Sequence, residues 1–498
     1  MPAKPPNILY IMSDDHAANA ISAYGSRLAE VFKTPNMDRV AREGVRLNNF
    51  FSTNSICTPA RATVLTGQYG HINGVRTLGD RFARGYAPNL AVLVQQAGYR
   101  TCLFGKWHLH CEPEGFDEYK FLSGAWEQGT YRAPEFTEKG RGVVQYKGYV
   151  TDIITEMAVA WLRGRDTGRP FFMMCHHKAP HDFWEYAERH ERLFDGVEVP
   201  APDSLFEDRS HRSIASRDYG SSVTPRSKIR SLYADFCRPD YVTGPLVGTE
   251  NMTFREKGLA AYQKYLRDYL RTVAGIDDSV GALLAELERQ GALDDTIIIY
   301  TSDQGMFLGE HDYQDKRWSY EEGLRAPFLV RYPREIAPGA VRDDLMANTD
   351  IAPTLLDYAG LEVPKAMQGF SCRGMLARQT AGRAARRRET IYFRYWMHLA
   401  HKHHNPAHYG IRTDRWKLLF YYGLPLDAAG AVNEVSPAGW ELYDMKNDPF
   451  ELKNLYPDPR YADIAGDLKA RLSRLKEELG DTDEKYPDLM RVREAHWG

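Results

Sequence analysis

Asn7-Ile8-Leu9-Tyr10-Ile11-Met12, running directly into Ser13-Asp14-Asp15-His16, decides how this chain folds. A short apolar run closed by polar residues reads as a strand buried on both faces of a parallel sheet. Similar runs recur at Thr101 to Phe104, Pro170 to Cys175, Thr296 to Thr301 and Pro327 to Tyr332. Between them stand stretches of helical spacing: Pro35 to Glu43, Asn89 to Ala97, Tyr149 to Leu162 and Lys257 to Gln290. The alternation predicts an α/β fold, a large and mostly parallel sheet sandwiched by helices. In such sheets ligands gather outside the carboxyl ends of the strands. The polar residues that follow each strand are therefore the candidates for chemistry.

From about Ala366 the pattern changes. Thr390 to Trp396, Tyr409 to Thr413, Trp416 to Tyr422 and Trp440 to Tyr443 read as strands, and Ala462 to Leu479 as a helix. This predicts a smaller α+β unit with an antiparallel sheet, so the chain divides into a catalytic α/β domain, 1–370, and a C-terminal subdomain, 371–498, that completes the substrate pocket. Arg383, Arg386, Arg387 and Arg388 read as a solvated loop, with anion binding as the lesser alternative. Residues 199–251 show little periodicity and read as a long surface excursion that could rim a site.

Composition narrows the function without naming it. The 498 residues are 43% apolar and 26% charged, which is ordinary globular usage. Sixty-four basic and 67 acidic side chains give a net charge of −3, so nothing global points to nucleic acid or an anionic membrane. No run approaches the ~18 apolar residues of a membrane span. The first apolar run is too short for a secretory segment and lacks a small-residue cleavage site, which predicts a cytoplasmic protein. Asn251-Met252-Thr253 matches a glycosylation sequon, read as chance in a leaderless chain. Six scattered cysteines form no disulfide framework.

Two features stand out locally. Asp14-Asp15 places two carboxylates at a strand end, either as a turn or cap, or around a divalent cation. Cys57-Thr58-Pro59-Ala60-Arg61 opens a helix in which Thr58 is a possible N-cap and Pro59 the first helical residue. That puts Cys57 at a helix amino terminus, where backbone N–H groups and the dipole favour anions. A lone cysteine is ordinarily a small buried hydrophobe.

Cys-x-Pro-x-Arg, here Cys57 to Arg61 with Leu65-Thr66-Gly67 behind it, resembles the signature of the type I sulfatases of the alkaline phosphatase superfamily. Further family segments recur in order: Asn7 to Asp15, Thr34-Pro35-Asn36-Met37-Asp38, Gly105-Lys106-Trp107-His108, Lys178-Ala179-Pro180-His181, Ser302-Asp303-Gln304-Gly305, Lys316 within Asp315-Lys316-Arg317, Leu324-Arg325-Ala326-Pro327, and Glu441-Leu442-Tyr443-Asp444 with Asn447-Asp448-Pro449 and Glu451. The resemblance runs from residue 7 to about residue 480. Each segment alone has an ordinary explanation, such as a core histidine for His108 or His181, or a surface lysine for Lys106 or Lys316. Their joint order does not.

The resemblance implies that Cys57 is oxidised to formylglycine by a formylglycine-generating enzyme. It also implies a metal held by Asp14, Asp15, residue 57, Asp303 and Gln304. Oxygen donors suit calcium or magnesium better than zinc. The resemblance favours Ca2+, with Mg2+ or Mn2+ as alternatives. Gln304 stands where many relatives have Asn or His, which keeps oxygen ligation but alters the coordination. Arg61, Lys106 and Lys316 would balance the carboxylates and accept a sulfate. A thiol would be trapped as a stable thiosulfate ester, whereas a hydrated aldehyde can attack sulfur with one hydroxyl and expel sulfate through the other. In the implied mechanism Asp303 activates the attacking hydroxyl, and His181 or Lys316 protonates the leaving alcohol. His108 takes the proton that drives elimination, while Arg61 and Lys106 stabilise transition-state charge.

Residues 395–409 concentrate five of the 16 histidines. The favoured reading is a substrate-pocket loop in which His398, His401, His408 and Arg412 face a sugar or aryl ring; a solvated loop and a second metal site are alternatives. His311 either reaches the same pocket or lies at the surface. The expected activity is hydrolysis of carbohydrate or aryl sulfate esters. A phosphonate monoester or phosphodiester hydrolase and an inactive sulfated-glycan binder are the alternatives. A homo-oligomer is possible on this reading.

Overall fold

The computed structural model describes residues 5–124, 127–377 and 386–497, so Arg383 lies outside the described residues. Its main sheet has ten strands: β1 (Asn7–Ser13), β2 (Val45–Leu47), β3 (Arg100–Gly105), β4 (Glu118–Leu122), β5 (Glu135–Glu138), β6 (Gly142–Gln145), β7 (Phe171–His176), β8 (Thr296–Ser302), β9 (Phe328–Arg331) and β10 (Ala340–Arg342). Their spatial order is β10-β2-β9-β8-β1-β7-β3-β4-β5-β6. The centre, β8-β1-β7-β3-β4, is parallel. The Pro327 to Tyr332 strand joins it as antiparallel β9.

β1 shows why the centre is parallel. Ile8, Tyr10 and Met12 point into one core, and Leu9 and Ile11 into the other. A strand apolar on both faces needs cover on both sides, which crossover helices supply. On the Leu9 face lie α1 (Pro35–Glu43), α4 (Val150–Gly164) and α5 (Phe254–Arg289); on the Ile8 face lie α2 (Cys57–Thr66) and α3 (Leu90–Gln96). Helix α5 begins three residues before the expected Lys257. Thr253 and Glu256 form a reciprocal capping box that satisfies the first-turn donors.

The expected surface excursion is corrected. Val199, Leu205, Val223, Leu232 and Phe236 are fully buried and form a third core with Tyr262, Tyr265 and Leu266 of α5. Leu205 sits on a short 3₁₀ turn and Leu232 and Phe236 on a five-residue helix, while Val199 and Val223 lie outside regular elements. Such pieces bury side chains singly, so no period marks them in the sequence.

Four antiparallel strands, β11 (Thr390–Tyr395), β12 (His408–Thr413), β13 (Trp416–Tyr421) and β14 (Gly439–Asp444), pair in sequence order. One face, with Tyr409, Ile411, Leu418 and Phe420, packs on α6 (Ala462–Leu479). The other, with Ile391, Phe393, Leu419 and Tyr421, packs on Phe51, Phe307, Tyr313 and Trp318 of the larger unit. Among the described residues no helix is long and apolar enough to cross a membrane.

Buried charges cross this seam. Lys417, with no exposed surface, lies 2.9 Å from both Glu321 and Glu451, and Arg412 sits 3.1 Å from Glu321. Removing one partner of a buried pair strands the others in a low-dielectric interior. Lys417→Met is expected to cost about 3–5 kcal/mol in denaturant unfolding.

Candidate active site

Four neighbouring parallel strands end at one edge of the sheet, and each delivers part of one constellation. Asp14 and Asp15 follow β1, Asp303 and Gln304 follow β8, Lys106 and His108 follow β3, and Lys178 and His181 follow β7. Ser13 is in register with Ser302, and Met12 with His176, so these residues start from the same level. Helix α2 points its amino terminus at the same edge. Ile56 occupies its cap position in extended conformation and offers no side-chain acceptor. Thr58 is therefore not the cap: the helix begins at Cys57, and the Thr58 hydroxyl makes no hydrogen bond. Pro59 still falls in the first turn, where no intrahelical N–H is needed.

Asp14, Asp15 and Asp303 each offer a carboxylate oxygen within 4.8 Å of the others, and Asp14, Cys57 and His181 form an overlapping set at the same spacing. The Cys57 thiol donates to Asp14 at 3.1 Å. Cations surround the acids. Arg61 donates from Nε and Nη2 to Asp303 Oδ2 at 3.1 and 2.9 Å, and from Nη1 to the Lys106 carbonyl at 2.7 Å. Lys106 donates to Asp14 and to Gln128, and Lys316 donates to Asp15 at 2.5 Å. Apart from half-buried Gln128, all these side chains are nearly or wholly withdrawn from solvent.

Burial shapes the protonation states. Burial and the neighbouring Asp14 push the Asp303 carboxyl well above the usual range. Asp14 goes the other way: burial opposes its charge, but Lys106, His181 and Arg61 hold it well below. Burial, then Asp14, pushes the Cys57 thiol well above its ordinary value, so as a cysteine it is a poor nucleophile. Burial, reinforced by Lys106, holds His108 neutral.

The donor set fits a hard divalent cation. Three carboxylates converge, and the Gln304 Oε1 beside them is buried without a partner, while its Nε2 reaches Asp15 Oδ1 at 2.5 Å. An orphaned buried carbonyl next to converging carboxylates is the pattern a cation completes.

The structure brings together Asp14, Asp15, Cys57, Arg61, Lys106, Asp303, Gln304, Lys316 and His181, with His108 joined through Gln128. It does not bring in most of the other candidates. His311 is neither at the surface nor in this pocket: fully buried, its Nδ1 lies 2.7 Å from Arg212 and 2.8 Å from Glu207. His408 is a core histidine, bonded to the Pro406 carbonyl and Ser319 at 2.7 Å each, and burial lowers its pKa to about 4. His398 is fully buried and accepts from the Ala407 N–H at 3.0 Å. Arg412 is spent on Glu321. His401 alone of this group is exposed, close enough to Arg317 and Lys316 to feel their charge. The 395–409 segment contributes to no cluster that could hold a second cation among the described residues.

Other residues at the site carry no motif. Gln128 links Lys106 to His108 from a loop beyond β4, and nothing in its sequence marks it. Asp315 is gripped by Arg317 at 2.6 Å and approached by His403 at 3.4 Å, beside Lys316. Asp182 lies against His181 at 2.8 Å, and Arg230 reaches both Asp182 and His403. Asp182 has a signal, an acid adjacent to a candidate histidine, and Asp315 and Arg317 flank Lys316 in a segment already singled out.

Adding a divalent cation is expected to raise the thermal unfolding midpoint, with ~2.7 kcal/mol of added stability at a hundredfold excess over its dissociation constant. Asp303→Asn should remove most of that rise in a calorimetric scan.

The sulfatase family model matches residues 6–361, and one described as N-sulphoglucosamine sulphohydrolase, C-terminal, matches 309–478. An N-acetylglucosamine-6-O-sulfatase of Bacteroides thetaiotaomicron is 39% identical over 96% of this chain and 88% of its own length. A solved structure of a protein in complex with its substrate D-glucosamine-2-N,6-O-disulfate superposes with a TM-score of 0.84 at 39% identity, covering 97% of this chain and 99% of that one. An arylsulfatase of Volvox carteri is 28% identical over 92% of this chain and 72% of its own length. With the anion-binding cations, the converging carboxylates and the Cys57 helix already in place, this similarity over nearly the whole length means that the chain belongs to the sulfatase family of the alkaline phosphatase superfamily and is a sulfuric ester hydrolase.

Proposed function

We propose that the chain removes sulfate from a carbohydrate, a 6-O-sulfated glucosamine-type sugar, using a formylglycine made from Cys57 and a calcium ion. The observation that carries this reading is the buried cluster of opposed charge: Arg61 on Asp303, Lys106 on Asp14 and Lys316 on Asp15, with the Cys57 thiol against Asp14. The sugar class is supported by the two relatives at 39% identity.

Asp14, Asp15, Asp303, Gln304 and residue 57 would hold the cation. When present, the cation would polarise the oxygens it binds, and the aldehyde hydrate would offer a hydroxyl nucleophile whose product can be released without a trapped thiosulfate ester. Lys106 and Lys316 bind and orient the sulfate oxygens through charge-assisted hydrogen bonds. Arg61 fixes Asp303 through two donors and so keeps its oxygens aimed inward. Asp303 accepts the proton of the attacking hydroxyl. His181 carries the proton for the leaving alcohol: its Nδ1 is held by the Asp182 side chain and carbonyl, both acceptors, which leaves Nε2 toward the pocket. His108, held neutral by burial, accepts the proton of the release step on Nε2, the nitrogen to which Gln128 donates. Exclusion of water strengthens each of these contacts.

Carbonyl-reactive labelling and the mass of the peptide containing residue 57 are expected to report an aldehyde in active protein. Cys57→Ala should cut sulfate release from N-acetylglucosamine 6-sulfate by about 10³-fold or more. Phenyl sulfate should be preferred over a matched phenyl phosphonate ester. A large preference for the phosphonate, or full activity with an unmodified thiol, would overturn the assignment.

A further inference from the structure

Arg230 stands on the irregular 199–251 segment, yet its guanidinium reaches across to two elements of the site. Nη1 donates to His403 Nε2 at 2.7 Å, and Nη2 donates to Asp182 Oδ2 at 3.3 Å. Nε donates to Asp235 at 3.3 Å, and the group lies 5.9 Å from the Phe183 ring centroid. The other oxygen of Asp182 is 2.8 Å from His181 Nδ1. A continuous chain results: His403, Arg230, Asp182, His181. The chain is partly sheltered, with the Arg230 side chain 17% exposed and that of Asp182 25%.

Each contact assigns a hydrogen. Arginine has donors only, so His403 Nε2 is an acceptor and its proton sits on Nδ1, facing Asp315 at 3.4 Å and Ser221 at 3.5 Å. Asp182 accepts from both sides. Burial opposes its charge, but His181 and Arg230 hold it ionised, well below the usual carboxylate range. A carboxylate on Nδ1 of an imidazole holds the Nδ1 hydrogen, fixes the ring's rotation and stabilises the imidazolium, in which Nε2 carries the second proton.

We infer that Asp182 and Arg230 are a positioning pair that orients His181 as the proton donor to the leaving alcohol and ties that donor to His403. The inference rests on the proposed role of His181 as the leaving-group acid. In the step concerned the bond between sulfur and the ester oxygen breaks, its electron pair stays on that oxygen, and the oxygen takes the proton from His181 Nε2. His181 is left neutral with its Nδ1 hydrogen still held by Asp182. Arg230 transfers no proton. It shares the Asp182 charge and sets the angle from which that carboxylate meets the ring.

Such a role is selective for the leaving group. A sugar alkoxide needs a proton, phenolate needs it less, and 4-nitrophenolate leaves unaided. The test compares Asp182→Asn, Arg230→Gln and His181→Ala on N-acetylglucosamine 6-sulfate, phenyl sulfate and 4-nitrophenyl sulfate, each with kcat and KM resolved. Graded losses are expected, with kcat down about 10–100-fold where the proton matters most and the smallest loss on 4-nitrophenyl sulfate. Circular dichroism and the thermal unfolding midpoint of each variant report whether it is folded. If His181→Ala loses all substrates equally, the reading of His181 as the acid fails. If His181→Ala is graded while Asp182→Asn and Arg230→Gln are uniform or silent, the positioning pair is overturned. If Arg230→Gln raises only KM for the sugar ester, its link to the acid is overturned as well.

Discussion

The molecule is organised around one electrostatic constraint. Asp14, Asp15 and Asp303 sit together where solvent does not reach, and three carboxylates in a dry pocket are intolerable unless opposed. Arg61, Lys106 and Lys316 oppose them, each from a different element. The sheet makes this arrangement possible. Parallel strands bring their carboxyl ends to one edge, so residues three hundred positions apart in sequence meet with little backbone distortion. The same excess of donors and acceptors that burial makes costly is what equips the site to take a cation on one side and a sulfate on the other.

Much of this was legible in the sequence, and the reasons differ by level. The β1 run was readable because both faces are covered, leaving an uninterrupted apolar stretch. Pro35–Glu43 and Ala462–Leu479 match their expected helices end to end, since a proline at the start of one and a glycine after the other mark the boundaries. The residues around Cys57 were readable because their chemistry requires a fixed spacing along a short segment. Arg230 and Gln128 were not. They reach the site through tertiary packing of segments with no period, and an arginine or glutamine in a loop carries no local mark of what it touches.

The histidine-rich segment illustrates a different failure. His408 and Arg412 share a face of β12 with Gly410, opposite Tyr409 and Ile411. A concentration of histidines with an arginine behind it suggests side chains that face a sugar ring. Here that face is covered by the larger unit, and its polar groups are satisfied by Glu321 and Ser319. Composition reports which side chains could meet a ligand, and it does not report whether they meet water, ligand or another part of the protein.

The seam also bears on modularity. Glu321 belongs to the larger unit, whereas Lys417, Arg412 and Glu451 belong to the smaller one, and the charges close only as a set. A C-terminal unit grafted from a distant relative would have to bring matching charges at these positions, or leave Glu321 stranded in the interior. The buried charges therefore couple the two units, and replacing one of them alone leaves the other with unpaired groups in a low-dielectric interior.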